Sequence, residues 1–285
     1  EISEICDELG ENYPKSIEQV HGGDIHSAWQ IEFANKKLFL KKNERNKKFL
    51  EFEKYCLQNL KKYINQKYLV VPEVITYKNI KKSEILLIEW IDMKNFDQKS
   101  LGRGLGEMHM NSTKSNPKSF GYPIEGFIGI TNQKKGWENN WIDCFLNLRI
   151  IPQLSILKSN VLNQETTNKV IKKIKSELLN HEPINTLVHG DLWSGNVGIE
   201  KSGKGVIFDP ASWWADNEVD IAMTKLFGGF SKEFYEEYHR FFPIKNGFEK
   251  RIVIYNFYHI LNHANMFGGA YLEQVKDYVK AILNM

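Results

Sequence analysis

The chain has 285 residues, 42% hydrophobic and 26% charged, with a formal net charge of +3, which fits one large or two modest globular domains. No apolar run approaches the length of a membrane span, and the acidic start, EISEICDELGENY, lacks the basic-then-apolar order of a signal peptide. Three widely spaced cysteines, Cys6, Cys56 and Cys144, suggest neither a disulfide frame nor a metal site and fit a reducing cytoplasm.

Residues 15 to 42 read as strands around a glycine turn, in which Gly22 and Gly23 let the backbone approach a ligand closely. Lys37 to Lys42 is a strand with Phe39 and Lys41 on one face and Leu38, Leu40 and Lys42 on the other. Lys41 directly follows the Leu38-Phe39-Leu40 run, as the phosphate-binding lysine does in the kinase V-A-I-K pattern. Residues 45 to 63 form a helix by the spacing of Phe49, Phe52, Cys56 and Leu60. Glu53 lies at the edge of that stripe and is the expected partner of Lys41, with Glu51 as competitor. Residues 36 to 67 hold eleven Lys/Arg against three Asp/Glu. The lysines interleave with apolar residues at helical spacing, so the excess reads as a solvated helix face and not as a nucleic-acid stripe.

Residues 70 to 75 and 84 to 91 are two further strands, the second nearly all apolar and hence central. Its exit, Glu89-Trp90-Ile91, stands where a kinase hinge offers backbone groups to adenine. From residue 96 the pattern turns helical. The glycines of Leu101 to His109 sit inside a helical stripe, which reads as close helix packing and not as a phosphate loop, with His109 a packed histidine. Residues 112 to 136 read as a long irregular loop. Helices follow at Trp141, Phe145 and Leu148, at Val170, Ile174 and Leu178, and through the aromatic C-terminal part.

The chemistry concentrates at residues 186 to 210, TLVHGDLWSGNVGIEKSGKGVIFDP. One apolar run delivers His189-Gly190-Asp191, Asn196 follows five positions later, and a second run delivers Asp209. Protein kinases use the same spacing in H-R-D-L-x-x-x-N followed by a strand and D-F-G. Phosphoryl transfer needs a carboxylate beside the attacking hydroxyl and metal ions on the phosphates. Asp191 is the candidate base, and Asn196 and Asp209 supply hard oxygen ligands suited to Mg²⁺. The expected fold is therefore α+β and two-lobed, protein-kinase-like. A small β-rich nucleotide-binding lobe spans residues 1 to 91, and a larger, mostly helical catalytic and substrate-binding lobe spans 92 to 285. A nucleotide would sit in the cleft between them.

The chain resembles the fructosamine kinase (ketosamine kinase) family, a branch of that fold near the aminoglycoside and choline kinases. The resemblance covers nearly the whole chain. It rests on His21-Gly22-Gly23-Asp24-Ile25, Phe39-Leu40-Lys41, Leu87 to Ile91, Phe120-Gly121-Tyr122 and Trp141 to Arg149. The most specific segments are His189-Gly190-Asp191-Leu192-Trp193-Ser194-Gly195-Asn196 and Phe208-Asp209-Pro210-Ala211. It implies ATP-dependent phosphorylation of the 3-hydroxyl of a ketosamine, as a free small molecule or on a glycated protein, with neither nucleic acid nor membrane as partner. By position, Asp191 would accept the proton, Asn196 and Asp209 would hold Mg²⁺, Lys41 would hold the α/β-phosphates, and Glu89 to Ile91 would line the adenine site. Asp220 would brace the catalytic loop. A ketosamine also offers a sugar face and a cationic amine, for which Trp193 and the carboxylates of Asp216 and Glu218 are the candidates. Asn217 stands where the family usually carries arginine, a departure that bears on the substrate pocket. The alternatives are another small-molecule kinase of the aminoglycoside or choline group, and a nucleotide-binding pseudokinase-like module.

Overall fold

Period-two alternation in the first third of the chain builds one antiparallel sheet. The computed structural model describes residues 2–20, 26–45, 48–80, 83–93, 97–115, 118–158 and 160–285. The first third runs α1 (Ile2–Leu9), β1 (Ser16–Val20), β2 (Ser27–Glu32), β3 (Lys37–Asn43), α2 (Phe49–Leu60), β4 (Leu69–Val70), β5 (Val74–Ile80) and β6 (Ser83–Glu89). The sheet order is β1-β2-β3-β6-β5. β6 is central, and Ile85, Leu86, Leu87 and Ile88 are all buried, as its continuous apolar run predicts. One face of the sheet sets Ile31, Leu38, Leu40, Ile85 and Leu87 against Ile5 and Cys6 of α1 in a small core of their own. The acidic N-terminal stretch is thus an amphipathic helix covering the sheet, which the sequence reading did not assign.

On the other side lies α2. Its stripe of Phe52, Cys56, Leu57 and Leu60 joins the large core shared with the C-terminal helices. The expected strand over residues 70 to 75 is split. Residues 71 to 73, around Pro72, are outside any strand, and β4 leaves the N-terminal sheet altogether.

The remainder is mostly helical. It comprises α3 (Lys99–Thr113), β7 (Phe120–Tyr122), β8 (Gly126–Ile128), β9 (Thr131–Gln133), β10 (Gly136–Glu138), α4 (Trp141–Phe145), a π-helical turn (Leu146–Ile150), α5 (Ile151–Ile156) and α6 (Gln164–Leu178). Then come β11 (Asn185–Val188), β12 (Val197–Ile199), β13 (Gly205–Ile207), β14 (Trp213–Asp216), α7 (Glu218–Leu226), α8 (Lys232–His239), α9 (Phe248–Phe267) and α10 (Ala270–Leu283). The stretch expected to be one long loop carries four short strands. β8 and β9 form a hairpin, while β7 and β10 join the sheet β10-β7-β14-β11. β4 pairs parallel with β13, in register Leu69 with Gly205.

The α3 glycines work as packing residues. A Cβ on Gly102 would strike the Phe234 carbonyl, one on Gly104 would lie 2.6 Å from Leu69 Cβ, and one on Gly106 2.5 Å from the Phe241 ring. This close approach seats α3 against α8 and β4. Among the described residues no helix is long and apolar enough to cross a membrane.

Candidate active site

β11 runs straight into His189-Gly190-Asp191. Gly190 has φ +85°, and a Cβ there would collide with the Ala211 carbonyl, so the loop closes only on glycine. The loop is held from behind by Asp220, in the first turn of α7. Its Oδ2 accepts from His189 N at 2.7 Å and its Oδ1 from Gly190 N at 2.8 Å. His109 Nε2 lies 3.2 Å from Asp220, His109 Nδ1 lies 2.9 Å from the Tyr238 hydroxyl, and Asn217 Nδ2 donates to that hydroxyl at 2.9 Å. One tautomer satisfies the whole chain: Asn217 to Tyr238, Tyr238 to His109, His109 to Asp220. Burial acts to raise the Asp220 carboxyl, but His109 and the backbone donors outweigh it and hold it below its ordinary value.

Asp191, Asn196 and Asp209 converge in front of this loop. Asn196 Nδ2 donates to the Asp191 carbonyl at 2.9 Å and to its Oδ2 at 3.2 Å. Burial, reinforced by the Asp209 charge, pushes Asp191 up to about 7. Asp209 has φ +55°, the only positive value on a non-glycine among the described residues. Such a conformation costs of order 1–3 kcal/mol and is retained where the surroundings over-determine it. Lys41, on β3, hydrogen-bonds Glu53 Oε1 at 2.7 Å and also the Asp209 carboxylate. Burial acts to lower Lys41, but these two carboxylates prevail and hold its ammonium above the ordinary value. Lys42 lies on the opposite side of the strand and pairs with the exposed Glu44 at 3.0 Å.

The donor set suits a hard cation. Among the described residues Asn196 makes its two side-chain hydrogen bonds through its amide nitrogen, which turns its amide oxygen away from Asp191, and the Asp209 side chain is 43% exposed. Of the residues expected at the nucleotide, Gly22 and Gly23 lie outside the described residues. Glu89 N donates to the Glu73 carbonyl at 2.9 Å and Trp90 N to the Lys37 carbonyl at 3.3 Å. The two amides are therefore engaged within the lobe, and Ile91 is the residue of the three whose amide makes no backbone hydrogen bond among the described residues. Trp90 packs on Phe39, with ring centroids 5.9 Å apart.

Two expected substrate residues are corrected. Asp216 is 1% exposed, and its Oδ2 accepts from His181 Nε2 at 2.6 Å and from the Tyr255 hydroxyl at 2.7 Å. Glu218 is 6% exposed and takes a bidentate pair from Arg251, 2.5 Å from Nε and 2.8 Å from Nη2. Both carboxylates are committed to internal partners, so they are not the amine-binding groups. Trp193 stays at the surface. It is 38% exposed, and its indole lies flat over Gly195, where any Cβ would strike it.

The model of the fructosamine kinase family matches residues 2–285. The chain belongs to the fructosamine kinase family. A "probable ketoamine kinase" of Vibrio cholerae is 34% identical over 285 residues, covering 99% of this chain and 98% of the relative. The crystal structure of a candidate fructosamine-3-kinase from Haemophilus somnus superposes with a TM-score of 0.87 at 25% identity, covering 99% of this chain and 96% of that one. An aminoglycoside phosphotransferase, APH(4)-Ia, solved with ADP and hygromycin B, shares the fold alone, with a TM-score of 0.66 at 14% identity over 99% of this chain and 97% of that one. The two-lobed kinase-like architecture and a phosphotransferase activity follow from family membership.

For a fructosamine kinase family member the Asn217 departure now has a location. Asn217 is buried and joins the brace through Tyr238 and His109. One positioning residue escaped the sequence reading. Glu84, 3% exposed at the start of β6, accepts from Leu50 N at 3.2 Å and Glu51 N at 3.0 Å, two first-turn amides of α2. Asn43 Nδ2 at 2.6 Å and the Tyr77 hydroxyl at 2.9 Å complete its shell. It thereby ties to the central strand the helix that carries Glu53. The only signal in the sequence was a carboxylate opening an otherwise apolar strand.

Proposed function

We propose that this chain transfers the γ-phosphoryl group of ATP to the 3-hydroxyl of a ketosamine, free or on a glycated protein. The observation that carries this reading is the convergence of Asp191, Asn196, Asp209 and the Lys41–Glu53 pair on one cleft. Asp191 takes the acceptor's proton as the new oxygen–phosphorus bond forms and the bond to the β-phosphate oxygen breaks, releasing ADP. A raised carboxyl suits this work, because it holds the proton more readily than an exposed aspartate does. Lys41, fixed by Glu53, is placed to take an α- or β-phosphate oxygen. Asn196 and Asp209 would hold Mg²⁺, which neutralises the phosphates when bound. Ile91 N is the proposed adenine donor, and Gly22 and Gly23 the proposed phosphate-loop residues. In this reading residues 1 to 91 bind nucleotide and residues 92 to 285 carry the base and the acceptor site. The acceptor's sugar face lies on Trp193.

The test is phosphotransfer with Mg-ATP to a panel of ribulosamine, fructosamine, choline and an aminoglycoside, with the phosphorylated position read by phosphorus NMR. Phosphate on the ketosamine 3-position is expected. Phosphate only on choline or the aminoglycoside would replace the acceptor assignment. No transfer to any acceptor, with ATP still bound, would favour a binding module.

A further inference from the structure

With Asp216 and Glu218 withdrawn into the core, the acceptor's amine lacks the carboxylate expected for it. What begins beside the base instead is a line of rings. Trp193 meets Phe227 edge-on at 6.0 Å, Phe227 meets His263 at 5.3 Å, and His263 meets Tyr271 at 5.0 Å and Phe267 at 5.8 Å. Trp193, Phe227 and Phe267 are 38%, 42% and 52% exposed. Single exposed apolar residues are ordinary on a protein surface, but a connected run starting two residues from the base marks a binding surface.

The strip is built into the site. Gly228 and Gly229, at φ +72° and +90°, turn the chain sharply after Phe227, and a Cβ on Gly229 would lie 2.6 Å from Ser194 Cβ. The Phe227 loop is therefore seated directly on the catalytic loop, next to Trp193. His263 Nδ1 lies 2.7 Å from the His259 carbonyl, to which it donates, and this fixes the ring between Phe227 and Tyr271. Burial lowers the His263 pKa, so the strip's centre carries no charge at neutral pH that would repel a cation. Among the described residues no hydrogen bond or ion pair joins a carboxylate to the side chain of Trp193, Phe227, His263, Phe267 or Tyr271.

We propose that the amine-bearing half of the acceptor lies along Trp193, Phe227 and His263 towards Phe267 and Tyr271, so that ring faces hold its secondary ammonium and a flat apolar substituent on the amine is preferred. This rests on Asp191 serving as base for a ketosamine. A ring face attracts an ammonium electrostatically while also covering apolar surface, and it does both without the desolvation cost of an acidic partner.

The experiment compares two fructosamines that differ only in the amine, one made from benzylamine and one from ethylamine, in steady-state kinetics with the parent, Phe227→Ala, Phe227→Tyr and Phe267→Ala. The parent is expected to prefer the benzyl acceptor in kcat/KM. Phe227→Ala should shift that preference towards the ethyl acceptor by roughly 5- to 30-fold, the worth of the ring contact that only the benzyl substituent makes. Phe267→Ala should shift it in the same direction by less, and Phe227→Tyr should restore it. A parent that uses both acceptors with equal kcat/KM overturns the strip while leaving the kinase reading intact. Variants that lower both acceptors equally, or a Phe227→Ala variant that dissociates a dimer with its acceptor preference unchanged, also overturn it. A parent that phosphorylates neither fructosamine overturns the functional reading, and the strip with it.

Discussion

Lys41 and Glu53 meet at 2.7 Å, from a strand and a helix, in a pair whose members are 6% and 8% exposed. The pair sets how deeply β3 and α2 face the cleft, and it presents the ammonium next to Asp209. Removing one member of a buried pair leaves the other charge uncompensated, a change that costs about 3–5 kcal/mol. Lys41→Ala is therefore expected to lower stability in urea by that order and to reduce kcat/KM for ATP at least ~100-fold, as loss of a phosphate-binding cation in phosphoryl transfer would. Lys42→Ala, on the other side of the strand, should move stability by about 0.5 kcal/mol or less. A larger effect of Lys42→Ala than of Lys41→Ala would mean that the cleft lies on the other face of β3.

Asp191→Ala should leave nucleotide binding in place and reduce kcat by ~10²–10⁴, the usual worth of a positioned base. Asp209→Ala should instead remove the Mg²⁺ dependence of nucleotide binding, read by calorimetry with ATP in the presence and absence of the metal. If Asp209→Ala bound Mg-ATP as the parent does, the metal assignment would move to other oxygens.

Glu84 gives a third expectation. Its carboxylate accepts two α2 amides and two side-chain donors, and the bonds from Leu50 N and Asn43 Nδ2 are buried. Glu84→Ala leaves those donors without an acceptor, at a cost of about 1–3 kcal/mol per unsatisfied group. Glu84→Gln keeps one acceptor oxygen and the shape. Both should raise the KM for ATP more than they lower kcat, Ala more than Gln, because the helix that carries Glu53 loses its anchor. A fall in stability with an unchanged KM for ATP would limit Glu84 to a structural role.

These sites differ in how far the sequence revealed them. The loop that brings Asp191 and Asn196 together was legible because it is local: the two residues share one loop, and the strand returning to Asp209 follows at once. Lys41 and Glu53 were legible because strand and helix periods assign faces. Asp216 and Glu218 were not legible in this way, because their partners come from distant parts of the chain. The chain forms β14 and the start of α7 there, and the two carboxylates meet His181 and Arg251, 35 and 33 residues away. The strands β7 to β10 were hidden for a related reason. Each is three residues long, too short to show alternation, and β7 is held by pairing with β14, far along the chain. Glu84 shows the same limit, since its partners were visible only once α2 had been docked on β6.

The last expectation concerns His259, in α9. Its ring is fully buried, and neither nitrogen has a hydrogen-bond partner in the protein among the described residues. Burial, helped by His263 and opposed by Asp220, lowers its pKa to about 3. In the unfolded chain the same histidine takes up a proton near pH 6.5. Below that pH the unfolded state binds a proton that the folded state refuses, so stability falls as the pH drops from 7 towards 3. Between pH 7.5 and pH 5 the loss from this one group is about 2 kcal/mol, from about 1.4 kcal/mol per pH unit once the unfolded histidine is protonated. His26 and His189 are shifted the same way by burial, and Glu53 and Asp191 the opposite way, so the parent's total pH dependence mixes several groups. The difference between parent and His259→Leu isolates the one wanted, because the other groups are common to both. Urea unfolding at pH 7.5 and pH 5 is expected to show the variant gaining about 2 kcal/mol on the parent at the lower pH. Curves that stay parallel between the two pH values would mean that His259 takes up a proton in the folded protein as readily as in the unfolded chain, and that α9 opens there to water.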